Sequence, residues 1–209
     1  MAAEAIHAAL QRTADSISSR HDCSVSIALH APDLGASSDI TAAAGFVDFG
    51  LGEGPKLLKA DPADDYVWGS TTKMFTAAAV LQLVERGLVS LDSPILTRVL
   101  NGSELAVRFS WLSGVTVREV LHMTSGLADY DGSAYEKSQF AQPQHDFTPM
   151  ESLSATFTAA APAFPPATRQ AYSSSNYVLL GLLLAAHAGV PTWADLDQSA
   201  VFRGGLTGR

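Results

Sequence analysis

From Thr71 to Arg86 the chain reads Thr-Thr-Lys-Met-Phe-Thr-Ala-Ala-Ala-Val-Leu-Gln-Leu-Val-Glu-Arg, which is apolar nearly all round a helix until Glu85. A helix without a polar face has to be covered on every side, so this stretch calls for a domain built around it. Gly87 stands where a left-handed residue ends such a helix. The head of the run is Ser70-Thr71-Thr72-Lys73. Residues three apart on a helix share a face, so the Ser70 hydroxyl and the Lys73 amine can meet. A neighbouring base that takes the hydroxyl proton turns serine into a nucleophile, and a helix N-terminus favours the negative charge that develops.

The tetrapeptide alone does not decide this. Four lysines and 22 serines in 209 residues predict roughly 0.4 chance occurrences of Ser-x-x-Lys, so its surroundings have to carry the reading. The competing account makes Ser70 a plain helix cap and Lys73 a solvated first-turn residue. Against it, a lysine in the first turn opposes the helix dipole, and the helix that follows is too apolar for a surface position.

Bulk properties narrow the partners. The hydrophobic content is 47% and fills a core, while the net charge is −8 with 13 Lys and Arg residues that form no basic run. Nucleic acid and anionic membranes are therefore not expected as partners. The longest strongly apolar stretch, Tyr177 to Ala186, is about half a bilayer span. The first twenty residues carry Glu4 and Asp15 and lack a basic region followed by an apolar core, so no signal peptide is read there. If the start is authentic, a cytoplasmic location is expected. Cys23 is the only cysteine, which excludes an internal disulfide; its setting reads as an inert strand residue. The six histidines show no metal-ligand spacing, and neither a metal nor a cofactor is expected. No Gly-rich phosphate loop and no Gly-x-Ser-x-Gly elbow occurs.

Along the chain, Ile6, Leu10, Thr13 and Ile17 predict an amphipathic helix over residues 3–20 that packs on a sheet. Residues 23–30 and 40–48 read as two antiparallel strands, and 50–65 as a loop. Thr116 caps a short helix from Val117 to Met123, 130–149 reads as a polar loop, and helices are expected over 150–160, 174–188 and 192–201, the last two separated by Gly189 and Pro191. Trp68, Trp111 and Trp193 are expected as core or cleft-wall aromatics. Asn101-Gly102-Ser103 is a glycosylation sequon that has meaning only in a secreted protein.

Two further segments stand with Ser70-Thr71-Thr72-Lys73: Val120-Leu121-His122-Met123-Thr124-Ser125-Gly126-Leu127, and Tyr172-Ser173-Ser174-Ser175-Asn176-Tyr177-Val178-Leu179-Leu180-Gly181. In this order and spacing the three resemble the serine β-lactamase and penicillin-binding protein superfamily, in its branch of class C β-lactamases, D-alanyl-D-alanine carboxypeptidases and related esterases. The resemblance covers roughly residues 20–200.

The resemblance implies an α+β fold of the β-lactamase/transpeptidase type: an antiparallel sheet flanked by helices plus a mostly helical subdomain. It implies a serine hydrolase acting on amide or ester bonds of a small-molecule or peptide substrate. Ser70 would be the acylated nucleophile, Lys73 its proton acceptor or local positive charge, and Tyr172 the base that shuttles the proton to the leaving group. A tyrosine with a pKa of about 10 needs nearby cationic charge for that role, which Lys73 supplies. The family's asparagine two residues after the tyrosine is Ser174 here, a substrate-contact position. In the alternative register, Ser174-Ser175-Asn176 is the Ser-x-Asn motif and Asn176 takes that contact.

The family's Lys-Thr-Gly or His-x-Gly motif has no counterpart; Gly205-Leu206-Thr207-Gly208 resembles it only in passing. Residues 1–209 are therefore expected to be a single partial domain, the front portion of a longer one, with the C-terminal sheet strands missing. Within it, 3–69 hold the N-terminal helix and two strands, 70–201 the mainly helical region with the motifs, and 202–209 a tail. A second reading keeps the same fold as a non-catalytic binding or assembly module.

Overall fold

The computed structural model describes residues 2–34, 39–48, 57–99, 107, 109–156, 162–191 and 193–197. Its contacts group into two units, residues 1–67 and 68–209.

In the first unit, helix α1 (Ala2–His21) precedes strands β1 (Val25–Leu29), β2 (Ile40–Ala44), β3 (Phe46–Asp48) and β4 (Leu57–Lys59). Strands β1 and β2 pair antiparallel, from Val25 opposite Ala44 to Leu29 opposite Ile40. Helix α1 lies on this pair. The buried row of Ala42, Ala43 and Ala44 lets the helix come close, and the Gln11 side chain donates to the Ala43 carbonyl at 2.9 Å. The face of α1 differs from the expected one. Ile6 and Leu10 turn inward with Gln11 and Ala14, whereas Thr13 and Ile17 are exposed. Both stripes satisfy helical spacing, and the fully buried Ala14 shows that close approach selected the smaller residues.

The expected strand over 40–48 is two strands. Gly45 sits between them at φ +87°, and a Cβ there would meet the Cys23 carbonyl oxygen at 2.5 Å. The chain kinks at that glycine, and Phe46–Asp48 pairs with Leu57–Lys59 inside the stretch expected to be a loop. Cys23 is exposed in the bend before β1 and is not a strand residue.

In the second unit, a 3-10 turn (Gly69–Thr71) leads into α2 (Thr72–Glu85), followed by α3 (Leu96–Val99), a 3-10 turn (Ser110–Gly114), α4 (Val117–Leu121), α5 (Ser133–Ala141), α6 (Pro149–Ala155), α7 (Ser174–Ala188) and a 3-10 turn (Trp193–Asp195). Helix α7 occupies the centre, in contact with α2, α3, α4, α6 and the Trp193 turn. Its run Tyr177-Val178-Leu179-Leu180-Gly181-Leu182-Leu183 is apolar all round, and Leu179, Leu180 and Leu183 are at most 2% exposed. Each such leucine contributes about 1.5–3 kcal/mol of burial. Val80, Leu83, Ile95, Leu112, Val117, Val120 and Leu153 complete the cluster around them.

The expectation of all-round burial therefore belongs to α7 and not to α2. Helix α2 buries Ala79, Val80 and Leu83 and leaves Met74 at 62% and Leu81 at 48% exposed. Its end is as expected: Gly87 is left-handed at φ +69°. The Leu88 and Gly87 amides donate to the carbonyls of Leu83 and Val84, at 3.0 and 2.9 Å, and satisfy two of the last turn's acceptors.

Thr116 caps α4 as expected, in a reciprocal box with Glu119. The helix ends at Leu121, because Met123 takes φ +56°. Helix α5 replaces the expected loop over 130–149. Its sequence has little amphipathic contrast, and it is anchored by Tyr135, whose ring meets Tyr130 at 4.9 Å and Phe147 at 5.3 Å and whose hydroxyl lies 2.8 Å from Ser152 Oγ. The helix expected over 192–201 is only the Trp193–Asp195 turn among the described residues. Residues 157–160, the sequon at 101–103 and the Gly205–Gly208 segment lie outside them.

Trp193 packs on α7 at Gly181, where a Cβ would meet the indole Cε3 at 2.5 Å. Gly181→Ala should lower stability by up to about 2 kcal/mol, an overpacking cost of about 1–3 reduced by about 1 through the helix-propensity gain of alanine. Denaturant unfolding measures it, and an unchanged midpoint would remove the close packing from the account.

Helix α6 starts with a Thr148–Glu151 capping box. The Thr148 backbone amide, then the His145 ring and the Thr148 hydroxyl, hold the Glu151 carboxyl at about 2, down from its ordinary 4.5. A depressed carboxyl stabilises the fold above its unfolded pKa, and the effect is lost as pH falls towards the folded one. The thermal midpoint of the wild type should exceed that of Glu151→Gln near neutrality. The gap should close between about pH 5 and pH 2.

Candidate active site

Ser70 stands in the 3-10 turn that starts α2, after Gly69 at φ +51°. That turn places the serine one helical turn ahead of Lys73, and Lys73 Nζ donates to Ser70 Oγ at 3.1 Å. Tyr172, 102 residues further on, brings its hydroxyl to 2.6 Å from the same oxygen. Lys73 Nζ lies 5.0 Å from the centre of the Tyr172 ring and 5.9 Å from that of Tyr177. Two side chains from distant segments thus converge on the Ser70 hydroxyl.

The phenols around this point are driven in opposite directions. Hydrogen bonding to Lys73 and then to Ser70 lowers the Tyr172 pKa from 10.0, against a smaller effect of burial; the Ser174 hydroxyl and the Lys73 charge add to the lowering. Tyr177 is raised by burial and by Tyr172. Tyr130 is pushed up to about 12, first by burial and then by Asp131, Tyr135, Asp129 and Tyr172. Of the three phenols, Tyr172 is thus the one whose anion is favoured, while those of Tyr130 and Tyr177 are disfavoured.

Tyr172 is held from both sides by residues 123–130. On its N-terminal side, the amides of Ala163, Ala167 and Ala171 donate to the carbonyls of Gly126, Thr124 and Met123 at 2.9, 2.9 and 3.1 Å. Gly126 has to be glycine: φ is +82°, and a Cβ would stand 2.3 Å from the Phe164 carbonyl oxygen. On the C-terminal side, the Ser173 and Ser175 hydroxyls both donate to the Ala128 carbonyl, at 3.2 and 2.8 Å. The Tyr130 amide donates to Ser175 Oγ at 3.0 Å, and the Ser174 amide to Asp129 Oδ1 at 2.9 Å.

Of the residues expected from sequence, Ser70, Lys73 and Tyr172 come together, and Ser174 lies beside Tyr172 at 7% exposure. Asn176 does not join them. It is 1% exposed, its Oδ1 accepts from Ser125 Oγ at 2.5 Å and its Nδ2 donates to the Ser173 carbonyl at 3.1 Å. Both ends of the carboxamide are used inside the fold, so the expected substrate contact from Asn176 is corrected to a structural bond. Ser125, Gly126 and Asp129 were not expected at the site from sequence. The signal was present, since they fall in or next to the Thr124-Ser125-Gly126-Leu127 segment.

The protein-family model described as Beta-lactamase matches residues 45–208, and the chain belongs to the β-lactamase family. Its fold is accordingly the α+β, β-lactamase/transpeptidase-like one. It is similar to penicillin-binding protein 4* of Bacillus subtilis (strain 168), with 30% identity over 138 residues, which are 64% of this chain and 27% of that protein. Among solved structures it resembles the D-stereospecific amidohydrolase from a Streptomyces species, with TM-score 0.68 and 24% identity over 94% of this chain and 52% of that one. It also resembles the D-amino acid amidase from Ochrobactrum anthropi SV3 complexed with L-phenylalanine, with TM-score 0.67 and 26% identity over 88% of this chain and 47% of that one. The chain spans about half the length of these solved relatives and 27% of the penicillin-binding protein.

Because hydrogen bonding to Lys73 is the largest influence lowering the Tyr172 pKa, Lys73→Ala should move its ionisation up towards 10.0. A phenolate absorbance titration should show a step below 10.0 in the wild type that is absent from Tyr172→Phe. A step unmoved in Lys73→Ala would break the link between amine and phenol.

Proposed function

We propose that the chain carries the nucleophilic centre of a serine hydrolase that cleaves an amide bond of a D-amino acid derivative or small D-peptide. Ser70 Oγ attacks the carbonyl carbon while its proton passes to the Tyr172 phenolate, and Lys73 stabilises the negative charge on both oxygens. Tyr172 then gives the proton to the amine nitrogen, the C–N bond breaks, and an ester on Ser70 remains. Water attacks that ester, Tyr172 receives the water's proton, the C–Oγ bond breaks, and Ser70 recovers its hydrogen.

The observation that carries this reading is the 2.6 Å and 3.1 Å approach of Tyr172 and Lys73 to one serine oxygen at the start of a helix. A cap serine with a solvated lysine needs neither contact. Family membership supports acyl transfer, and the names of the similar amidases support an amide of D configuration. Ser174 is assigned to tuning Tyr172, because its hydroxyl favours the phenolate.

Intact-protein mass spectrometry after incubation with a fluorophosphonate or a penicillin tests the proposal. The wild type should gain one adduct on Ser70, Ser70→Ala none, and Tyr172→Phe should acquire it about 10²–10⁴-fold more slowly, the usual contribution of a general base. Release of ammonia from D- rather than L-phenylalanine amide would support the substrate class. A folded wild-type chain that takes up no adduct would instead indicate a binding module of the same fold.

A further inference from the structure

Helix α7 begins two residues after Tyr172, and its first turn exposes backbone amides that the helix itself cannot satisfy. A serine in the cap position, as Ser173 is, ordinarily accepts from one of them. Ser173 makes no such bond; its hydroxyl is turned away and donates to the Ala128 carbonyl. The acceptor comes instead from 45 residues earlier in the chain, where Asp129 Oδ1 takes the Ser174 amide at 2.9 Å. The same oxygen accepts from the Asp131 amide at 3.3 Å, which folds the loop back on the carboxylate and fixes its aim. A negative charge at that end of a helix is favoured by the helix dipole.

We propose that Asp129 is a positioning residue for Tyr172: its carboxylate clamps the first amide of α7 and so holds the adjoining phenol against Ser70. The proposal rests on the reading of Tyr172 as the proton acceptor. The other side of the tyrosine is tied through Ala171 to the Met123 carbonyl, so Asp129 supplies the charged half of a two-sided clamp. Asp129 is exposed at the surface of its loop, which leaves it free to be replaced without a cavity.

The charge of a carboxylate and the hydrogen bond it makes have opposite consequences for a neighbouring phenol. A carboxylate nearby disfavours a phenolate, whereas a phenol held against Lys73, Ser70 and Ser174 favours one. The other phenols that feel Tyr172 are Tyr177 on α7 and Tyr130 on the loop, and Tyr130 also feels Asp131, Tyr135 and Asp129. Asp129→Ala removes both charge and clamp. Asp129→Asn removes the charge and keeps an oxygen that accepts the Ser174 amide.

The experiment is a phenolate absorbance titration of the full chain, with Tyr172→Phe subtracted, alongside the rate of fluorophosphonate labelling at Ser70 and the thermal midpoint. In Asp129→Ala the Tyr172 step should move up towards its ordinary position and labelling should slow about tenfold, as displaced reacting groups do. In Asp129→Asn the step should stay or move down, with labelling restored.

A merely structural role would lower the thermal midpoint of both variants and leave the step and the labelling rate per folded molecule unchanged. That result overturns the proposal, as does an Asn variant that behaves like Ala. The titration needs no chemistry at Ser70. If Tyr172→Phe labels as fast as the wild type, the proton-acceptor reading fails, while the clamp is still judged by the position of the step.

Discussion

The first turn of α7 is polar and buried, and the site in the second unit depends on how that conflict is resolved. Ser174, Ser175 and Asn176 are 7%, 0% and 1% exposed, directly before the apolar run of the same helix. A buried polar group left without a partner costs about 1–3 kcal/mol, so four unsatisfied groups would consume most of a small domain's stability. The Ser174 amide, the Ser175 hydroxyl and the Asn176 carboxamide find their partners in residues 125–130 or in the cap itself. Satisfying them locks the loop after α4 to the start of α7, and Tyr172 is the residue immediately before that lock. The placement of the phenol is thus a by-product of folding, which is the condition for a preorganised site.

Around that phenol the environment separates three chemically identical side chains. Tyr172 faces an amine and two hydroxyls, and its anion is favoured. Tyr130 and Tyr177 are carried further into the protein and meet the Tyr172 charge, so their anions are disfavoured. The amine comes from the first turn of α2, where a lysine is unfavourable for the helix; Ser70 and the Tyr172 ring give it a local use. The same first turn brings Ser70 into the partial positive charge of the helix end, which suits an oxygen that gains charge on attack.

What was legible in sequence follows from how local the deciding interaction is. The Ser70–Lys73 approach is a matter of helical spacing, the Thr116 cap and Gly87 are set within a few residues, and α7 between Ser174 and Gly189 was marked by its own pattern. Helix α5 was not legible: Ser133–Ala141 has weak amphipathicity, and Tyr135 is fixed by aromatic and hydroxyl contacts from Tyr130, Phe147 and Ser152. Strand β4 has only three residues and exists because β3 pairs with it. The type and spacing of Asn176 suit a substrate contact, whereas its partner Ser125 meets it only once α7 has docked.

By itself the sequence determined the family, through three segments whose order and spacing are specific as a set, and it marked Ser70, Lys73 and Tyr172 as the chemical candidates. Which apolar helix becomes the centre was decided by the tertiary structure: α7 has neighbours around it, while α2 keeps Met74 and Leu81 at the surface. The tertiary structure also separated the two polar candidates that follow Tyr172. Ser174 faces the phenol and Asn176 is spent inside the fold. The packing around α7 and the Ser125–Asn176 bond join segments tens of residues apart, and no periodicity within one segment encodes those.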